Sequence, residues 1–161
     1  MDLEADWNTI RHVFESGVRS SKHSAIGTVD ADGNPHITPI GFAFLRDDRT
    51  AYYFEQYPKR LPLNLETHKN VCMAVNSSPS FWLRSLLRAR FLSHPGIRLY
   101  GEAGTLRPAT APELAQLNAR IGLAKHLPGS KLIWSGLKAV RDIKLTAVEP
   151  VRYPRMMEHL R

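Results

Sequence analysis

The stretch Ser24–Leu45, with the sequence SAIGTVDADGNPHITPIGFAFL, decides the fold. Apolar and small residues on either side of the segment Asp30–Pro35 predict two strands, and the Asp, Gly, Asn and Pro between them predict a turn. Pro39 and Gly41 interrupt the second predicted strand, His36–Leu45. Neither suits a regular central strand, so this strand is expected at an edge, at a bulge or where its backbone closely approaches another group.

The rest of the chain predicts more short strands with helices between them. Further strands are expected at Ala51–Gln56, Val71–Asn76, Ile97–Leu106 and Lys144–Tyr153. Helices are expected at Leu3–Phe14 (ending at Gly17), Leu61–Lys69, Phe81–Leu92, Thr110–His126 and Ser130–Val140. Thr110 and Glu113 have the spacing of a capping box. Six strands joined largely by short turns predict an α+β fold, mainly β, in which helices pack outside a small antiparallel barrel.

Length and composition exclude several classes of protein. The chain has 161 residues, of which 43% are hydrophobic, and this predicts a single domain over residues 1–161. Its single cysteine, Cys72, cannot form an internal disulfide and is expected as a small buried residue in a reducing compartment. The N-terminus is acidic and lacks the apolar stretch of a signal peptide. No apolar run approaches the length of a membrane span. A cytoplasmic protein is therefore expected.

The net charge of +7 is unevenly distributed. Residues 1–80 carry 8 Lys or Arg and 10 Asp or Glu, a net charge of −2, whereas residues 81–161 carry 14 and 5, a net charge of +9. A basic half attracts anions such as phosphates, nucleic acids or acidic lipids. The charge alone does not distinguish among these ligands.

Motifs for catalysis by the chain alone do not occur. The seven histidines and Cys72 have no spacing typical of a metal site, so no metal is expected. No serine lies in the Gly-x-Ser-x-Gly pattern of hydrolases, and no glycine-rich phosphate loop is present. Any chemistry is therefore expected to come from a cofactor.

One ordered set of motifs indicates which cofactor. It comprises the predicted hairpin Ser24–Ile40, the aromatic strand and basic pair in Tyr52–Arg60, the pair Asn64-Leu65, and the glycine-rich segment Tyr100–Gly104. In order and spacing this set resembles the pyridoxamine 5′-phosphate oxidase-like family of FMN-binding split barrels. The resemblance covers roughly residues 20–106. It implies a six-stranded antiparallel split barrel that binds FMN at the interface of a homodimer.

The resemblance also implies where FMN would lie. Lys59 and Arg60 would hold its phosphate, and a basic pair at a helix N-terminus suits an anion because the first N–H groups of the helix are free. Thr38 and the adjacent backbone would contact the ring, with Tyr53 and Phe54 alongside it. The cofactor-binding residues expected are His36, Ile37, Thr38, Pro39, Tyr53, Phe54, Lys59, Arg60 and Asn64.

Each of these features also has a plainer interpretation. A basic pair at a helix start can be a solvated corner, His36 can be a surface residue at a strand end, and the aromatic residues can be core. Strand alternation places Tyr53 and Phe54 on opposite faces, so only one of them can face a ligand. Glu55 and Gln56 stand where the family has small or hydroxyl residues.

The predicted helix Phe81–Leu92 is basic and amphipathic, with Arg84 and Arg88 four residues apart. Such a helix can bind anionic lipids, or it can be buried against the barrel or a second subunit. The second interpretation is favoured, with the helix covering the cofactor and with Arg84 or Arg88 attracting an anionic substrate. Trp134, near the last predicted helix, is either a packing anchor or a flavin-stacking residue.

These observations predict an FMN-dependent oxidoreductase that transfers a hydride between flavin and a small substrate. The partners expected are that substrate and a second copy of the chain, with neither nucleic acid nor a membrane. The alternative within the same fold is a protein that carries flavin, deazaflavin or haem without turnover. A nucleic-acid binder is a third possibility, which the basic half of the chain motivates but no interleaved aromatic motif supports.

Overall fold

A computed structural model of the protein describes residues 1–160. These residues form seven β-strands and five α-helices, joined by turns that include two short 3₁₀ segments at Gly122–His126 and Pro154–Met156. The strands are β1 (Ser24–Val29), β2 (Pro35–Ile40), β3 (Ala43–Leu45), β4 (Thr50–Phe54), β5 (Asn70–Asn76), β6 (Gly96–Pro108) and β7 (Ala139–Pro150). The helices are α1 (Trp7–Ser21), α2 (Arg60–Thr67), α3 (Pro79–Leu87), α4 (Ala111–Ile121) and α5 (Pro128–Trp134). No helix within this described part is long and apolar enough to cross a membrane.

One antiparallel sheet contains all seven strands, in the order β2-β1-β5-β6-β7-β4-β3. Its two edge strands, β2 and β3, are joined only by Gly41 and Phe42. Because so short a link cannot span a flat seven-stranded sheet, the sheet must curl until its edges approach each other. The result is the split-barrel α+β architecture that the sequence predicts. The strand predicted as His36–Leu45 is in fact two strands, which raises the count from six to seven.

The core has two parts, one on each side of β4. Tyr53 belongs to the larger cluster, inside the barrel and against α1, whereas Tyr52 and Phe54 belong to a smaller cluster with residues of α4 and β7. The expectation that Tyr53 faces away from its neighbours is therefore confirmed. Cys72 is half-buried.

Gly17 lies inside α1, so the prediction that it ends this helix is wrong. A β-carbon at Gly17 would lie 2.8 Å from Cβ of Val75, which shows that glycine is needed for close contact between α1 and β5. The helix ends instead at Lys22, which has a left-handed backbone conformation and donates its N–H to Val18.

The other helices are confirmed with shifted ends. α3 begins earlier than predicted because Pro79 follows the capping residue Ser78, and it ends before Ala89, whose φ is 50°. α4 has the predicted capping box and ends at Gly122, where φ is 57°. α5 is shorter than predicted.

A cluster of charged side chains fastens α4 to the barrel. Glu113 on α4 accepts hydrogen bonds from Arg46 at 2.7 Å and from Arg107 at 2.7 Å, and Asp142 on β7 accepts from the same two arginines. The hydrogen bonds from Arg107 hold the pKa of Glu113 and of Asp142 below their usual ranges, and Glu113 is buried.

Replacing Glu113 by Gln is expected to lower the free energy of unfolding at neutral pH by about 2 kcal/mol, because the charged hydrogen bonds are lost while Gln preserves the capping box. A depressed folded-state pKa gives stability that is complete above the unfolded-state pKa of about 4.3 and is lost as the pH falls below it. The unmodified protein should therefore lose stability in acid more steeply than E113Q. Urea unfolding at about pH 7 and about pH 3 measures both effects, and equal losses in the two proteins would contradict the prediction.

Candidate functional site

The candidate site begins on the inner face of β2. His36 pairs with Thr28 of β1 and Thr38 pairs with Ile26, and paired residues point to the same side of a sheet. Thr28 and Ile26 are buried, whereas His36 and Thr38 are half-exposed because β2 is an edge strand. A ligand could therefore reach this histidine and this threonine. His36 Nε2 also lies 3.3 Å from Asp30 Oδ2.

Ile37 and Pro39 lie on the opposite, outer face of the same strand and are both exposed. The four neighbouring residues predicted to line the ring are thus divided between two faces. His36 and Thr38 could contact a ligand on the inner side through their side chains, but Ile37 and Pro39 could do so there only through backbone atoms.

The N-terminus of α2 supplies two cations. Lys59 and Arg60 are exposed, and neither forms an ion pair with any residue in the described part of the chain. No side chain caps this helix, and its first turn contains no acidic residue. The first N–H groups are therefore free to bind an anion. Pro62 is tolerated because its position in the first turn needs no donor.

A buried hydrogen bond holds α2 against β1. Asn64 Nδ2 donates to Thr28 Oγ1 at 2.8 Å, and both residues are almost completely buried. Since Thr28 pairs with His36, this bond holds the middle of α2 against β1, the strand next to β2. In this structure Asn64 positions the helix, and direct contact with a cofactor stays a prediction.

The segment between β4 and α2 is held by a buried ion pair. Arg141 on β7 donates two hydrogen bonds to Glu55, each of 2.9 Å, and the exposed fractions of their side chains are 12% and 5%. The Tyr53 hydroxyl donates to the same carboxylate at 2.7 Å. Burial raises the pKa of Tyr53, which keeps the phenol neutral. The first residue of the segment that leads to Lys59 is thereby fixed.

Sequence reasoning did not find this pairing. Strand alternation places Tyr53 and Glu55 on one face, and the β4–β7 register sets Arg141 opposite Tyr53. The alternation is visible in the sequence, but the register is not. The one signal in the sequence is Glu55 itself, an acidic residue directly after an aromatic strand.

Gln56 and Tyr57 connect the same segment to the region after α4. Tyr57 Oη donates to the carbonyl of Ile133 at 2.6 Å. Gln56 packs against Gly136, and its Oε1 atom is buried without a hydrogen-bond donor among the described residues. A buried acceptor beside a cationic helix start suits a ligand that carries both an N–H donor and an anionic group.

Tyr53 and Phe54, predicted to lie along the cofactor, are both buried in the protein core. Tyr53 is fully buried, and Phe54 packs edge-on against Tyr52 at a centroid distance of 6.1 Å. In a single chain these rings pack in the two core clusters on either side of β4. Their contact with a cofactor stays a prediction.

Arg84 and Arg88 are not brought to the other site residues within one chain. α2 precedes β5 and α3 follows it, so the two helices lie at opposite ends of this strand. A seven-residue strand is about 20 Å long. Contact of these arginines with a substrate stays a prediction.

Comparisons with known proteins agree with this architecture. The family model described as pyridoxamine 5′-phosphate oxidase matches residues 10–150. No curated protein sequence matches the chain. The fold is similar to that of an FMN-binding protein from Syntrophomonas wolfei, with a TM-score of 0.61, 18% identity and coverage of 92% of this chain and 93% of that one.

Two other similar structures are named for different cofactors. An F420 reductase has a TM-score of 0.54 and 19% identity, with coverage of 84% and 94% of the two chains. The haem storage protein HutZ from Vibrio cholerae has a TM-score of 0.55 and 15% identity, with coverage of 93% and 95%. At such identities the likeness shows the fold alone.

The sheet and its flanking helices define a split barrel. The chain belongs to the pyridoxamine 5′-phosphate oxidase family.

Proposed function

We propose that the protein is an FMN-binding oxidoreductase that acts on a small substrate. The observation that carries this proposal is the unpaired basic start of α2, where Lys59 and Arg60 stand beside free helix N–H groups. A dianionic phosphate satisfies both kinds of group. The family match and the FMN-binding structural relative support the choice of cofactor.

The remaining site residues suit the rest of the cofactor. Thr38 offers a hydroxyl and His36 a ring nitrogen on the open inner face of β2, and Gln56 offers a buried acceptor. FMN, when bound, supplies hydride transfer at its ring. The chain itself would bind the phosphate, orient the ring against the β2 edge and leave the other side of the ring to the substrate. A second copy of the chain is proposed to complete the site, as the family resemblance implies.

The purified protein is expected to be yellow, with absorption bands near about 375 and 450 nm. Titration of cofactor-free protein with FMN, riboflavin, deazaflavin F420 and haem, followed by absorbance and fluorescence, identifies the ligand directly. Tighter binding of FMN than of riboflavin is expected, because only FMN carries the phosphate. A Soret band with no flavin binding would contradict the proposal.

A carrier of flavin, deazaflavin or haem is the second candidate, which the likeness to the haem storage protein HutZ favours. Anaerobic reduction of the flavin-loaded protein with NADH or NADPH, followed by reoxidation with candidate acceptors, distinguishes the two. Repeated turnover identifies an enzyme. Tight binding without reduction by any donor identifies a carrier.

A further inference from the structure

Helix α3 presents a second feature that the cofactor site does not use. Its inner face, formed by Phe81, Trp82 and Ser85, is partly or fully buried and contacts Phe91 and Tyr153, whereas Leu83, Leu86 and Leu87 are 60%, 63% and 79% exposed. On a helical projection these leucines form one sector, and the exposed Arg84 and Arg88 form the sector beside it. We call these five exposed residues the α3 patch.

Helix α3 cannot rotate about its axis to bury the leucines of the α3 patch. Phe81 stacks on Phe91 at 5.6 Å, and Trp82 meets Tyr153 edge-on at 5.2 Å. Phe91 in turn donates its N–H to the carbonyl of Met156 at 3.1 Å. The aromatic face of the helix is therefore fixed, and the leucines point away from the chain.

The patch lies in a strongly basic part of the sequence. Between Glu66 and Glu102 the chain carries no acidic residue, but it carries five basic ones: Lys69, Arg84, Arg88, Arg90 and Arg98. Within the described part of the chain, neither arginine of the patch forms an ion pair. Just beyond the helix, Leu92 and Arg90 are also exposed, so the surface of exposed leucines and arginines continues past the end of α3.

We propose that the α3 patch docks on an anionic lipid surface. The leucines would enter the boundary between head groups and acyl chains, and the arginines would contact the phosphates. Nucleic acid offers anions but no apolar layer for leucines that are more than half exposed. A two-fold contact of the patch with its own copy would bring four arginines into one interface, and the patch contains no carboxylate to pair with them. Docking on lipid would differ from the sequence-based expectation that the protein has no membrane partner.

The direct test is sedimentation of the full-length protein with vesicles. Binding is expected to vesicles of phosphatidylcholine mixed with phosphatidylglycerol and not to phosphatidylcholine alone. It should weaken at high salt because the Debye length shortens. R84Q/R88Q should bind the mixed vesicles about thirtyfold more weakly, since each arginine near an anionic surface contributes about a factor of five. L83S/L87S should also lose binding.

Matched controls come from the other end of the sheet. K59Q/R60Q removes the same charge and should change vesicle affinity by less than about threefold, because these residues lie at the start of α2 and outside the patch. L123S/L132S removes two leucines that are 87% and 82% exposed and should bind as the unmodified protein does. Thermal unfolding of every variant shows whether the fold is intact, and FMN affinity provides a second check for all variants except K59Q/R60Q.

Several results would overturn the proposal. They are the absence of sedimentation with either vesicle, equal binding to neutral vesicles, and equal losses in the control variants. Duplex DNA that binds more tightly than the mixed vesicles, without any effect of L83S/L87S, would assign the patch to nucleic acid. A lower mass of L83S/L87S in analytical ultracentrifugation would show that a second copy covers the leucines.

Discussion

Replacing Lys59 and Arg60 together by alanine is expected to weaken FMN binding about a hundredfold, since two hydrogen bonds between charged groups are lost, at about 1.5 kcal/mol each. Both side chains are exposed at the start of α2 and have no ion pair in the described chain. No internal ion pair is therefore broken, and the stability of the protein should not fall. Fluorescence titration of cofactor-free protein measures the affinity.

Riboflavin distinguishes loss of phosphate binding from general damage to the site. Since riboflavin lacks the phosphate, its affinity should be nearly the same in K59A/R60A and in the unmodified protein. R84A/R88A, which removes equal charge beyond the far end of β5, should bind both flavins normally. A parallel loss for FMN and riboflavin would show that the basic pair does not hold the phosphate.

Replacing Glu55 by alanine is expected to lower the free energy of unfolding by about 3 kcal/mol, because it leaves the Arg141 charge buried without its partner. The effect is large for two reasons. The Glu55–Arg141 pair is bidentate and nearly inaccessible, and the fully buried Tyr53 hydroxyl loses its acceptor as well. Urea unfolding at neutral pH measures the change.

Two comparisons isolate the cause. E149A breaks the half-exposed pair with Arg98, in which the atoms are 3.4 Å apart, and should cost less than about 1 kcal/mol. The double variant E55A/R141A should be more stable than E55A, since it removes the unpaired charge. If E55A is no less stable than E149A, the pair is not a determinant of stability.

Local features of the sequence predicted local structure well. The Asp30–Pro35 turn and the Thr110 capping box each depend on a few neighbouring residues, and both occur as expected. Strand alternation also separated Tyr53 from Phe54 correctly. Such features are set by backbone conformation and by burial on one face, which the sequence displays directly.

Features that depend on distant partners could not be predicted in this way. Glycine is common at helix ends, which is why the sequence predicts that Gly17 ends α1. Its actual role is to allow close contact with Val75. Glu55 meets Arg141 only because β7 pairs with β4, a neighbour relation between segments 86 residues apart. The separation of Arg84 from Lys59 follows from the ends of β5 at which their helices attach. None of these three features can be predicted without knowing the order of the strands in the sheet.

The two-residue link between β2 and β3 affects how the chain folds during synthesis. The first four strands, β1 to β4, include both edges of the sheet and lie within the first 54 residues. The three central strands, β5, β6 and β7, are synthesised later. Two early hairpins, β1–β2 and β3–β4, can form as soon as they are synthesised. β1 gains its other neighbour only with β5, and β4 only with β7, at residues 140–144. Unpaired strand edges invite association with other chains, so a nascent chain stalled before β7 is the species most in need of a chaperone.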